Sequence, residues 1–327
     1  MRLDVFLQTR LRNTSRTRAR AIVANSAFST SGRRLRPHDR IRGEDWIALW
    51  RPAFEDEEPE LDLEILHEDE HLLAVDKPPH LAVHPTARYH RNTVIKRLEA
   101  QRPGEFLSLI HRLDRETSGI LLVARSPEAD RAFKRVLEDR SVAVAAEAAG
   151  RADRGGTAGP AVRPCASDVP AVEKTYLAIT WGVPRSGMID APLEPDSDNP
   201  LRVKMRLAKP GRGLEARTDL TVLEQRAGYA LVACELHTGR QHQIRVHLAS
   251  VDCPVVGDKL YGPDERLLAR AADGQLTEED LARLELARHA LHAHRYVLPH
   301  PMTGETLFLE SELPPDLLLF WESRGTE

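Results

Sequence analysis

HRLDRETSGILLVAR, residues 111–125, sets a charged loop directly against an apolar run. The stretch Gly119-Ile120-Leu121-Leu122-Val123-Ala124 carries no polar side chain and reads as a buried strand. Ser126-Pro127-Glu128 then supplies a cap, a proline at the first helical position and an early acid, which predicts a helix to about Arg140. Working outward, Leu72–Val75, Tyr176–Trp181, Leu220–Leu223 and Tyr229–Glu235 read as further strands. Thr277 followed by Asp280 resembles a capping box, for a helix running to about His289. Strands parted by helices at irregular intervals predict an α+β fold with a mixed sheet, not a regular βαβ winding.

The 327 residues suffice for two or three folded units, and no 18-residue apolar run suggests a membrane span. Cys165, Cys234 and Cys253 are scattered and odd in number, which argues against a disulfide scaffold and for a cytoplasmic location. The N-terminus lacks the uninterrupted apolar core of a secretory signal. The overall charge of −4 hides an asymmetry. From Met1 to Arg51, twelve arginines and no lysine stand against Asp4, Asp39, Glu44 and Asp45, leaving +8. From Pro52 to Glu70 there are ten carboxylates and neither lysine nor arginine. A basic head followed by an acidic joint suggests an electrostatic footprint for phosphate. Leu3, Phe6, Leu7 and Leu11 recur at helical spacing, and Ser15 can cap a second helix bearing Arg16, Arg18 and Arg20. Short segments ending in Trp46–Trp50 complete a small unit over 1–52, joined by an acidic linker at 53–60 to a catalytic unit over 61–320. Between 142 and 172 the chain turns Ala/Gly/Pro-rich without periodicity and reads as a flexible insertion.

Two polar clusters carry the chemistry. In the first, Asp114 lies between Arg112 and Arg115 beside His111, at the mouth of the buried strand. Flanking positive charge keeps such a carboxylate ionised, fit to act as nucleophile or base at an anomeric carbon. A structural ion pair holding a turn explains the spacing equally well. The second cluster runs from His237 to His247 and includes Arg240, Gln241, His242, Gln243 and Arg245, donors suited to phosphate and base contacts. Its three histidines stand five and five apart, a poor spacing for a metal site on one helix, and no carboxylate joins them. Ile244, Val246 and Leu248 fit either a strand or a helix. His289, His292 and His294 read as structural. No glycine-rich phosphate loop or nucleophile elbow is present, so no nucleotide cofactor is expected.

At these residues the sequence resembles the RluA-type family of RNA pseudouridine synthases. HRLDRETSGILLVAR is similar to the family's nucleophile motif, EKTYLAITWG to its tyrosine strand, and LHTGRQHQIRVHLASVDCPVVGDKLYG to its arginine motif. HALHAHRYVLPHPMTGETLFLESELPPD resembles its C-terminal signature. The resemblance spans roughly Leu61 to Asp316. The first fifty residues resemble an S-four-type RNA-binding domain, with Ser26 and Ser31 where that domain usually has glycine and asparagine. The resemblance implies a largely antiparallel sheet with flanking helices, and isomerisation of uridine to pseudouridine in RNA. It makes Asp114 the nucleophile and Tyr176 the ring that stacks on uracil and takes the carbon-5 proton. It makes Arg245 the partner that orients Asp114, and Arg112 the group that fills the space of the flipped nucleotide. His111, Arg240, His242, Gln243, Arg16 and Arg20 are further candidate RNA contacts. The implied partner is ribosomal or transfer RNA, the implied state a monomer, and neither metal nor cofactor is expected. Two other readings remain to be tested: a non-catalytic RNA-binding or assembly factor, which has no need of Asp114, Tyr176 and Arg245 together, and a metal-dependent hydrolase using the histidines.

Overall fold

The computed structural model describes residues 1–11, 16–49, 63–85, 92–152, 172–199, 203–272 and 274–325. Ser15, Trp50, the acidic linker, Cys165 and residues 153–171 of the expected insertion lie outside these. The chain divides into two units, Met1–Glu57 and Glu58–Glu327.

In the first unit, α1 (Leu3–Arg10) and α2 (Arg16–Ser26) lead into strands β1 (Ala27–Ser29) and β2 (Ile47–Leu49), which pair antiparallel. Leu3, Leu7, Ala19, Val23, Ala27 and Leu35 form its core, the helical spacing having placed these apolar side chains on inward faces. Asp4 is fully buried, held by the Arg2 guanidinium at 3.0 and 2.9 Å. Arg16 and Arg20, one turn apart on α2, are exposed.

The second unit opens with β3 (Glu64–Glu68), β4 (Leu72–Lys77) and α3 (Val94–Gln101), followed by β5 (Ser108–Leu109) and β6 (Ser118–Ala124). Every residue of β6 is buried. Next comes α4, which starts at Pro127 as its cap and proline dictate, with the Ser126 hydroxyl accepting from Ala129 N. It does not stop near Arg140 but runs to Ala152, into the stretch expected to be irregular. That stretch is alanine-rich, and alanine favours helix without any amphipathic period to betray it.

The chain continues through β7 (Glu173–Trp181), β8 (Gly187–Asp190), β9 (Leu193–Pro195), β10 (Met205–Leu207), β11 (Arg217–Arg226) and β12 (Tyr229–Leu236). The ambiguous apolar positions 244, 246 and 248 belong to a helix, α5 (Gln243–Ser250). Then come α6 (Arg266–Ala272), α7 (Glu278–Leu284), β13 (Leu291–Pro299), β14 (Thr306–Glu310) and α8 (Pro315–Glu322). The Thr277–Asp280 capping box forms, but α7 ends at Leu284, short of His289. Glu285 takes a left-handed conformation with φ 61°, its carboxylate accepting from Trp181 Nε1 at 2.5 Å and Tyr229 Oη at 2.6 Å.

One ten-stranded sheet runs β3-β4-β6-β13-β7-β12-β11-β8, with β5 beside β6 and β14 beside β13. All of its pairings are antiparallel except β6 with β13, so the α+β class with a largely antiparallel sheet is what the chain adopts. The parallel contact is short, His292 opposite Ser118 and Ala293 opposite Gly119. Gly119 has φ +103°, and a Cβ there would lie 2.2 Å from the Ala293 carbonyl oxygen, so only glycine fits. Because Tyr176 lies opposite Ala293 on the other flank of β13, this join sets the start of β6 and the middle of β7 on either side of the same residue. No helix among the described residues is long and apolar enough to cross a membrane.

Candidate active site

Asp114 sits in the loop that enters β6, and that loop is tied down from several sides. Thr117 N donates to the Asp114 carbonyl at 3.2 Å. The Thr117 hydroxyl bonds His289 Nε2 at 2.8 Å, and the Ser118 hydroxyl bonds His292 Nδ1 at 3.0 Å. Lys77 Nζ donates to the Arg115 carbonyl at 3.2 Å, and Lys259 Nζ donates to both Glu116 oxygens at 2.8 and 3.0 Å. A charged loop held by so many fixed donors presents its carboxylate with little freedom.

Arg245 reaches Asp114 from α5. Its Nη1 donates to Asp114 Oδ2 at 2.7 Å, while Nε and Nη2 donate to Asp258 at 2.6 and 2.8 Å. Asp258 is fully buried and also accepts from the Leu260 and Tyr261 N–H groups at 2.8 and 3.0 Å. The Tyr261 ring lies 5.1 Å beneath the guanidinium, within cation–π range. Burial works against ionisation of Asp114. His242 opposes burial only when protonated, and its own burial holds that imidazole down at about 4. At neutral pH the permanent charge of Arg245 therefore dominates, and the Asp114 carboxyl is lowered to about 2.

His242, in a left-handed conformation at the N-terminus of α5, bonds Tyr261 Oη through Nδ1 at 2.9 Å and turns Nε2 toward Asp114 at 3.8 Å. Across the cleft, Tyr176 is buried on β7, its hydroxyl 2.7 Å from that of Tyr296 on β13. Burial pushes the Tyr176 phenol up to about 12; the Tyr296 hydrogen bond opposes that rise and the Asp114 charge adds to it. Asp114, Tyr176, His111, Arg112, Arg240 and His242 border one open cleft of about 620 Å³, and a second hollow of about 300 Å³ lies on the Glu116 side of Asp114. A partly buried, ionised carboxylate beside a phenol and an exposed arginine suits attack at a sugar carbon and proton transfer from a ring held against the tyrosine.

The sequence profile of a family described as RNA pseudouridylate synthase matches residues 71–144 and 169–250. A Zymomonas mobilis protein named ribosomal large subunit pseudouridine synthase D is 31% identical, over 98% of this chain and 93% of its own. The chain belongs to the RNA pseudouridylate synthase family. A Neisseria meningitidis protein of the same name is 32% identical over 97% of this chain and 76% of its own. Among solved structures, human RNA pseudouridylate synthase domain containing 4 is 27% identical, with a TM-score of 0.53 over 78% of this chain and 90% of that one. This pseudouridine synthase is thus an isomerase that acts on RNA.

Of the residues singled out in the sequence, the synthase fold brings Asp114, Tyr176, Arg245, Arg112, Arg240 and His242 to one place. Gln243 is there but turned inward. It is 2% exposed, accepts from the Thr238 hydroxyl and Arg240 N, and donates to the Arg217 carbonyl and the Thr218 hydroxyl. Its capacity is spent on holding the turn, and no RNA contact is open to it. His111 accepts from Leu122 N at 3.1 Å, and burial keeps its ring neutral, with a pKa of about 3. His237, His242 and His247 have separate partners; His247 bonds the Thr218 hydroxyl and the Ala191 carbonyl. Among the described residues, no group of three His, Cys, Asp or Glu side chains is placed to hold a metal ion. Sequence reasoning passed over Asp258, Tyr296 and Lys174. Asp258 lies within the arginine motif, 13 residues past Arg245, and its type alone was a usable signal.

Proposed function

We propose that this pseudouridine synthase acts on uridines of ribosomal RNA, with Asp114 as the nucleophile, Arg245 orienting it and Tyr176 serving the base. The relatives reported above act, by their names, on the large ribosomal subunit. The target nucleotide leaves the helical stack and enters the cleft, and exposed Arg112 at the mouth takes its place. Asp114 acts on the ribose, the C1′–N1 bond breaks, and the uracil turns about its contact with Tyr176. A C1′–C5 bond then forms, the C5 proton passes to the Tyr176 oxygen, and the hydroxyl proton that Tyr176 gives up is the equivalent that N1 gains. The product has the atoms of the substrate, so neither oxidant nor energy source enters. The observation that carries this reading is the 2.7 Å bond from Arg245 to a carboxylate held ionised in the same cleft as Tyr176. The first unit, with Arg16 and Arg20 exposed, serves as an S-four-type RNA-binding domain supplying sequence-independent phosphate contacts. The enzyme works as a cytoplasmic monomer.

The test is tritium release from RNA labelled at carbon-5 of uridine, with ribosomal and transfer RNA from cells lacking the enzyme as separate substrates. Release from ribosomal RNA by the wild type and none by Asp114→Asn is expected. Release from transfer RNA alone overturns the substrate assignment, and full activity of Asp114→Asn overturns the nucleophile. RNA binding without release supports the assembly-factor reading instead.

A further inference from the structure

Among the described residues three lysines are buried, and two have the partners that burial demands. Lys77 Nζ donates to three carbonyls, at 2.7, 3.1 and 3.2 Å, and Lys259 Nζ to Glu116 at 2.8 and 3.0 Å and to the Ala287 carbonyl at 2.6 Å. Lys174 is the exception. It is 8% exposed, two residues before Tyr176 on the same face of β7, and it borders the 620 Å³ cleft with Asp114, Arg112 and Arg240. Among the described residues no acceptor bonds its ammonium and no carboxylate lies within 4 Å of it. Among the described residues the charges that act on it are cations: burial and the fields of Arg140 and Arg240 lower it to about 8, which still leaves it charged at neutral pH. Glu235 is taken by Arg140 at 2.6 Å and the Glu215 carbonyl by Arg240 at 3.0 Å, so these acceptors serve the arginines and not Lys174.

A largely buried lysine whose ammonium has no protein partner and opens only on the wall of a substrate cleft is a site built for an anion that arrives with the substrate. RNA brings one such charge per nucleotide. We propose that Lys174 binds a backbone phosphate of the RNA strand whose target nucleotide enters the cleft, and so positions the ribose against Asp114. This rests on the reading that the cleft receives the flipped nucleotide.

The experiment measures equilibrium binding of the full chain to ribosomal RNA from cells lacking the enzyme, over a series of salt concentrations. All proteins carry Asp114→Asn, so that binding is read without turnover. Adding Lys174→Met is expected to weaken binding about tenfold, the scale of one charge-assisted contact. It should also reduce the slope of log affinity against log salt by a little under one, the value for one phosphate contact. Lys174→Arg should restore the slope. Weaker binding with an unchanged slope marks a contact to base or sugar and overturns the proposal, as does unchanged binding. Without RNA, Lys174→Met should melt no lower than its parent, because an unpartnered charge has been removed; a clear fall in Tm reveals an internal partner and also overturns it. The nucleophile assignment fails separately, through turnover of the single Asp114→Asn variant, and the salt slope is read whether or not it stands.

Discussion

Asp258 grips Arg245 through two of its N–H donors, at 2.6 and 2.8 Å, and leaves a third aimed at Asp114. The orientation of the proposed nucleophile is thus set one residue further back than the motif suggests. Asp258→Asn keeps the shape but loses the charge that fixes the guanidinium. It should lower kcat by about 10²-fold, the cost of a small misplacement at a reacting centre, with KM little changed. Tritium-release kinetics at saturating RNA check this, and a change confined to KM sinks it.

The acid limb of the activity profile should report Asp114. Its carboxyl titrates at about 2 in the fold, against an ordinary 3.8, so activity should stay flat from pH 8 down to about 4 as far as this group is concerned. A depressed carboxylate also contributes stability that is present above about pH 4 and lost as pH falls toward 2. In Arg245→Gln burial is opposed only by imidazoles that must first be protonated, and the acid limb should move upward in pH. An acid limb that stays where it was argues that Arg245 does not set the charge of Asp114.

Tyr296 supports Tyr176 through the 2.7 Å hydroxyl pair. Donation from Tyr296 lowers the cost of placing negative charge on the Tyr176 oxygen, in a site where burial otherwise forbids it. Tyr296→Phe should reduce kcat about tenfold or more through the proton-transfer step and leave RNA affinity unchanged. If kcat holds and only stability falls, the pair serves packing alone.

Gly119→Ala should unfold the sheet at its centre. The added methyl meets the Ala293 carbonyl oxygen at 2.2 Å, on a backbone with φ +103°. A loss of at least about 3 kcal/mol is expected, worth about 6–12 °C in Tm for a domain of this size. A thermal melt within about 2 °C of wild type would falsify this.

Much of this was legible because the decisive residues lie in local patterns. The apolar run after Asp114 is a strand within one residue of its expected bounds, and the Ser126-Pro127 start of α4 is where local chemistry puts it. Local patterns failed where tertiary partners decide. The C-terminus of α7 depends on Trp181 and Tyr229 gripping Glu285, and both come from other strands. Gln243 looks like an open donor in the sequence, and the Thr218 and Arg217 groups that occupy it arrive from β11. Lys174 and Tyr296 drew no notice for the same reason: they face each other only through the β7–β13 register.

The position of β13 between β6 and β7 also sets when the enzyme can first work. On the nascent chain Asp114 precedes the end of β13 at Pro299 by 185 residues, roughly 10–40 s of synthesis at ordinary elongation rates. Until then Thr117 and Ser118 lack His289 and His292, and the tyrosine strand is paired on its β12 side only. Such long-range closure is slow by topology. The loop that carries Asp114 therefore gains its histidine partners only after β13 has closed on β6, late in the order in which the sheet can form.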